Sequence, residues 1–183
     1  VKVLTTELPG VLVLEPRAFE DARGSFMEVF HTGRYAEAGI SGPFVQDNLS
    51  RSVKGALRGL HFQEPHGQGK LVQVLAGSVY DVAVDVRRGS PTFGRWTAVE
   101  LSAENRRQLW VPPGFAHGFC VLSERADFFY KCTDFYSPTS ERSIAWNDPA
   151  LAIPWPLSAP LLSPKDAAAP CLKDAPVLPV FMG

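Results

Sequence analysis

Short apolar runs recur along the whole chain, each cut off by turn residues. They cover residues 11–14, 26–30, 44–49, 56–63, 70–76, 79–86, 96–101, 107–111, 119–122, 126–133 and 142–146. Between them stand breakers such as Glu15-Pro16, Ser41-Gly42-Pro43, Lys54-Gly55, Gly77 and Pro112-Pro113-Gly114. The runs are rich in Val, Phe, Tyr and Trp, and most are too short for a helix. The pattern predicts an all-β sandwich or barrel of short strands. One stretch, 32–38, has helical character and is stopped by Gly39. From Asp148 onward proline becomes dense, at 149, 154, 156, 160, 164, 170, 176 and 179. Such a segment cannot supply central strands. Its Ile153, Trp155, Leu157, Leu161 and Leu162 are expected to pack over the β core as an ordered wrap. The chain therefore reads as one domain, 1–183, with a core at about 7–147 and a wrap at 148–183.

Composition narrows the class of function. With 183 residues, the chain can bury roughly 70% of its unfolded surface without disulfides or metals. Lys+Arg 18 against Asp+Glu 19 leaves a net charge of −1. That balance disfavours non-specific binding to nucleic acid or a membrane surface, but leaves room for a local basic site. No apolar run approaches a membrane span, and Val1 to Glu7 does not read as a signal peptide. Cys120, Cys132 and Cys171 are far apart and match no metal or redox spacing, so reduced thiols and a cytoplasmic setting are expected. There is no GxSxG, phosphate loop or GxGxxG. A nucleotide would have to be held by side chains on strands.

The chain has four histidines, and two sit in informative places. His61 lies in the strand-like run Leu57-Arg58-Gly59-Leu60-His61-Phe62-Gln63, and His117 enters a strand from Pro112-Pro113-Gly114. A lone strand histidine is usually a hydrogen-bonded core residue. Here Arg58 and Lys70 share the region, and unpaired cations inside a barrel are expensive, so an anionic ligand is their natural partner. Regular alternation would put Arg58 and His61 on opposite faces. Both can face inward only if Gly59 permits a bulge or kink, which the sequence therefore predicts.

Gln46-Asp47-Asn48, Ser50-Arg51-Ser52, the Leu57 to Gln63 run and Gly69-Lys70-Leu71-Val72 together resemble the dTDP-4-dehydrorhamnose 3,5-epimerase family. So do Asp81-Val82-Ala83-Val84-Asp85, Gly89 to Gly94, Leu101 to Asn105, Pro113 to Phe119 and Leu161-Leu162-Ser163-Pro164-Lys165-Asp166. The ordered match spans about residues 7–170. It implies a cupin-like jelly roll with a few short helices, a homodimer, and no metal or organic cofactor. The implied substrate is dTDP-4-dehydro-6-deoxy-D-glucose, epimerised at C3 and C5. By the same resemblance His61 is the base, Asp166 its partner, Tyr130 the acid and Lys70 the stabiliser of the C4 oxygen. Alternation puts Tyr130 on one face with Phe128 and Cys132. Arg23, Glu28, Gln46, Asp47, Asn48, Arg58, Lys70, His117, Glu141 and Lys165 carry over as substrate-binding residues. The segment from Arg23 to Glu28 would reach a partner subunit's site.

Read alone, Tyr130, Lys70 and Asp166 would pass for a core tyrosine, a solvated lysine and a turn former. Other functions remain to be weighed. A metal-dependent cupin would want His-x-His, but Gln63 holds the second position and Glu64 is out of spacing. A single-site 3- or 5-epimerase or a ketoisomerase would share fold and base. A non-catalytic carbohydrate-binding jelly roll would need surface aromatics rather than a buried His/Tyr/Lys/Asp group. The segment 171–183 matches no motif and reads as a structural tail.

Overall fold

The computed structural model describes residues 1–40 and 42–183, so Ser41 in the turn before residues 44–49 lies outside the described residues. The chain runs β1 (Lys2–Thr5), β2 (Leu12–Glu15), β3 (Ala18–Asp21), β4 (Gly24–Met27), α1 (Thr32–Glu37), β5 (Gln46–Val53) and β6 (Leu57–Gln63). It continues with β7 (Lys70–Ala76), β8 (Ser78–Asp85), β9 (Trp96–Ser102), β10 (Gln108–Val111), β11 (Phe115–Val121), β12 (Arg125–Cys132), β13 (Glu141–Ser143) and α2 (Pro164–Ala167). One antiparallel sheet has the order β1-β2-β10-β7-β12-β5, and the other β13-β6-β11-β8-β9. The hairpin β3-β4 pairs with neither.

The main core lies between the two sheets. Val72, Val74, Leu109, Ala126 and Phe128 come from one, and Val79, Ala83, Leu101, Phe115, Phe119 and Val121 from the other. The five-stranded sheet is also covered on its outer face. Leu60, Phe62, Val82, Val84 and Ala116 meet Leu151 and Leu172, with Ile153, Trp155 and Leu178 packed alongside. Burial on both faces explains why β11 reads as a nearly continuous apolar run rather than an alternating one. Each large apolar side chain buried this way contributes about 1.5–3 kcal/mol. The wrap is thus anchored tightly enough to carry functional groups. On the other flank, Tyr35 of α1 packs with Leu14, Ile40, Leu71 and Trp110. His31 caps that helix, its side chain accepting from the Arg34 amide.

The structure refines several expectations. Strand β1 pairs with β2 from Lys2 onward, outside the anticipated core span. The run 26–30 is a strand only as far as Met27, and the run 142–146 only from Glu141 to Ser143. The proline-rich segment adds only isolated bridges, Ala56 with Leu161 and Arg88 with Val180. Leu161 departs from its expected packing. It is 60% exposed and lies at a pocket mouth, because its backbone is tied to Gly55 and Leu57 at the sheet edge.

The irregularity expected at Gly59 is present. His117 faces His61 across β11 and β6, but Phe119 faces Arg58, so two steps on β11 span three on β6. Gly59 has φ 125°, and a Cβ there would sit 2.6 Å from the Gly118 Cα and 2.8 Å from the His117 carbonyl oxygen. The extra residue reverses parity, and Arg58 and His61 line the same cavity. Gly59→Ala should cost roughly 2–4 kcal/mol of stability, measured by urea unfolding, because both backbone conformation and space exclude a side chain. A loss below about 0.5 kcal/mol would show that the close approach to Gly118 is not required.

Candidate active site

A cavity of about 760 Å³ opens between the sheets, and a smaller chamber of about 190 Å³ adjoins it. Both are lined by His61, Lys70 and Tyr130. The volume suits a ligand of sugar-nucleotide size. His61 stands on β6 of the five-stranded sheet, while Lys70 on β7 and Tyr130 on β12 belong to the six-stranded one. The imidazole and the phenol therefore enter from opposing walls.

Asp166 arrives from the wrap. Its Oδ1 lies 2.6 Å from His61 Nε2, and the carboxyl is 3% exposed. Ser163 caps α2 by accepting from the Asp166 amide, and Gly59 N–H points at Asp166 Oδ2 across 3.4 Å. Burial pushes the Asp166 carboxyl up, but its bonds to His61, Gly59 and Ser163 and the His61 charge outweigh this, so its pKa is lowered. An ionised Asp166 accepts the Nε2 proton, which leaves Nδ1 as the basic atom of the ring. Acidification through the lowered Asp166 pKa would remove this support; above the ordinary carboxylate range it is fully present.

Lys70 and Tyr130 are both shifted by partial burial. Desolvation lowers the Lys70 pKa, partly opposed by the carboxylates of Glu141 and Asp81. Desolvation raises the Tyr130 pKa, so the phenol holds its proton firmly at neutral pH. His117, opposite His61, is 7% exposed and joins fully buried Asp81, its Nε2 lying 2.8 and 3.0 Å from the two carboxylate oxygens. Burial raises the Asp81 pKa against the pull of His117 and Lys70. In the sequence Asp81 stands within the Asp81 to Asp85 motif, with nothing nearby to name its partner. Its role as the buried partner of His117 follows from β8 lying beside β11. Among the described residues, no group of three or more His, Cys, Asp or Glu side chains is arranged to hold a metal ion.

The remaining candidates separate into those the cavity gathers and those it does not. Alternation on β5 turns Gln46 and Asn48 into the smaller chamber, where Glu141 and Tyr136 join them. Glu141 accepts from Lys165 Nζ at 2.7 Å and from Tyr136 Oη at 3.1 Å. Tyr136 escaped the sequence reading because it lies in an irregular loop. Arg58 and Lys165 line the larger cavity. Asp47 points away on the outer face of β5 and pairs with Lys131 at 2.8 Å, because alternation opposes it to Gln46 and Asn48. Arg23 and Glu28 also lie outside this chain's cavity. Arg23 pairs with Asp21 at the β3-β4 turn, and Glu28 with Arg34 of α1.

Comparison with known proteins identifies the family. The family described as dTDP-4-dehydrorhamnose 3,5-epimerase matches residues 5–174. The chain belongs to that family. A Shigella flexneri dTDP-4-dehydrorhamnose 3,5-epimerase is 56% identical over 177 residues, covering 96% of this chain and 98% of the relative. A Neisseria gonorrhoeae relative of the same name is 58% identical over 91% of this chain, which spans 51% of that relative's length. The crystal structure of a Legionella pneumophila dTDP-6-deoxy-D-glucose-3,5-epimerase in complex with dTDP-4-keto-L-rhamnose superposes with a TM-score of 0.96. It is 57% identical and covers 100% of this chain and 99% of that one. The sandwich is accordingly the cupin-like jelly roll of the epimerase family.

The lowered Lys70 pKa makes a stability prediction. The folded protein disfavours the charged amine, so Lys70 costs stability below its lowered pKa. That cost is relieved as pH rises from there toward the ordinary lysine value. Lys70→Met should therefore raise the thermal midpoint of the ligand-free protein at pH 7, and the advantage should shrink by pH 10. Equal or lower stability of the variant at pH 7 would contradict the desolvation assigned to the amine.

Proposed function

We propose that this epimerase converts dTDP-4-dehydro-6-deoxy-D-glucose to dTDP-4-dehydro-L-rhamnose by inverting C3 and C5 in turn. The observation that supports this mechanism is that His61 and Tyr130 line one cavity from opposing sheets. Hydrogens beside a ketone are acidic because the resulting charge spreads onto the carbonyl oxygen. His61, with Nε2 held by Asp166, takes such a proton at Nδ1, and the ionised Asp166 stabilises the imidazolium that forms. Lys70 donates to the C4 oxygen as negative charge develops there. Tyr130, protonated and approaching from the opposite wall, returns a proton to the other face of the carbon. Each cycle moves one proton out and one in, and the configuration inverts.

Binding follows from the two chambers. Gln46, Asn48 and Glu141 supply donors and acceptors suited to a thymine edge, and Arg58 and Lys165 suit a diphosphate. His117, fixed by Asp81, lines the sugar cavity beside Lys70. The β3-β4 hairpin, with Phe19 53% and Phe26 71% exposed, supports a homodimer in which Arg23 and Glu28 complete a second subunit's site. Among the described residues, no helix is long and apolar enough to cross a membrane. Its free cysteines Cys120, Cys132 and Cys171 support placement in the cytoplasm.

Turnover in deuterium oxide tests the chemistry directly. The product should carry deuterium at both C3 and C5. Label at one carbon alone would reduce the reading to a single-site epimerase, and no label would leave a binding protein. His61→Asn should lower exchange at both carbons by about 10²–10⁴ while dTDP affinity holds. Tyr130→Phe should impair net inversion more than proton loss. Normal turnover by both variants would refute the assignments.

A further inference from the structure

Arg58 is held differently from four other arginines of this chain. Arg23, Arg34, Arg51 and Arg87 each set Nε and Nη2 side-on against a single carboxylate. Arg58 instead donates its Nε to Ser52 Oγ at 3.0 Å. Ser52 is 5% exposed and lies opposite Ala126 on β12, and it is not part of the cavity wall. Arg58 does line the cavity. A guanidinium has five N–H donors in a rigid fork, and committing Nε to a buried hydroxyl leaves four, all on the Nη1 and Nη2 end.

We propose that Ser52 is a positioning residue that closes the side-on mode of Arg58 and presents its Nη1–Nη2 end to the diphosphate of the substrate. The inference rests on the sugar-nucleotide reading of the cavity and sharpens it. Ser52 bridges β5 to β6 beside the irregularity at Gly59, where the backbone would otherwise let the long arginine side chain sample several directions. A hydroxyl that accepts from Nε leaves the charge intact, adds no competing carboxylate, and removes rotamer freedom before the ligand arrives. A carboxylate at this position would neutralise the cation that the phosphates need.

The test separates positioning from folding by asking whether the effect of Ser52 passes through the guanidinium. Ser52→Ala should weaken dTDP binding, measured by titration calorimetry, about three- to tenfold. KM should rise by the same factor while kcat stays within about twofold. Thymidine, which has no phosphate, should bind the variant as it binds the wild type. Ser52→Thr, which keeps the hydroxyl, should retain wild-type dTDP affinity. In an Arg58→Met background, Ser52→Ala should change dTDP affinity by less than about 1.5-fold, since the coupling partner is gone. Three results would overturn the proposal: no loss of dTDP affinity, an equal loss for thymidine, or a loss that persists without the guanidinium. A wild-type protein that fails to bind dTDP would remove the sugar-nucleotide reading itself and this inference with it. Wild-type dTDP binding left intact by Ser52→Ala would remove only the inference.

Discussion

The contact between Asp166 and His61 joins two parts of the chain 105 residues apart, and the rest of the site is arranged around it. A carboxylate this buried would be costly without compensation. Its compensation is the imidazole and the Gly59 amide, so the site and the docking of the wrap share the same bonds. The wrap is held elsewhere by apolar anchors, Leu151, Ile153, Trp155 and Leu172, over the outer face of the five-stranded sheet. Those anchors supply the energy that keeps Asp166 in place, and the site need not supply its own.

The same economy governs the cations. Lys70 is placed where burial works against its charge, with negative groups nearby but none bonded tightly enough to neutralise it. Arg58 is fixed by a neutral hydroxyl, and Lys165 by Glu141 at the cavity rim. A desolvated cation without a bonded counter-ion, as at Lys70, gains most when an anion enters. Stability given up at Lys70 in the empty protein is recovered when an anion binds beside it.

Much of the fold was legible because burial and alternation leave plain marks. Strands β7, β8 and β12 follow runs of Val, Phe and Tyr bounded by Gly, and the helix start at Thr32 and the absence of sheet strands beyond Pro149 follow from turn chemistry and proline. Strand β1 and the β3-β4 hairpin were harder to read. They are short, largely exposed and mixed in character, so their pairing leaves little hydrophobic signature. Within the site, Gln46 and Asn48 turn inward while Asp47 turns out, a distinction that strand parity makes once the inward face is known. Asp81 and Tyr136 were passed over because nothing near them in sequence names their partners, which come from β11 and from Glu141.

The residues alone determined an all-β domain, the need for an irregularity at Gly59, and a concentration of His, Arg and Lys suited to an anionic ligand. The ordered motifs added the family and its chemistry. The Asp166–His61 contact and the placement of Arg23 and Glu28 away from this chain's own cavity are as the resemblance implied, while only the tertiary structure decided that Asp81 braces His117 and that Ser52 occupies the Nε of Arg58. The reason is physical. Alternation and turn propensity are local properties written in neighbouring residues. The pairing of charges across two sheets and a wrap depends on which distant strands become neighbours, and that is settled by the burial of the whole core.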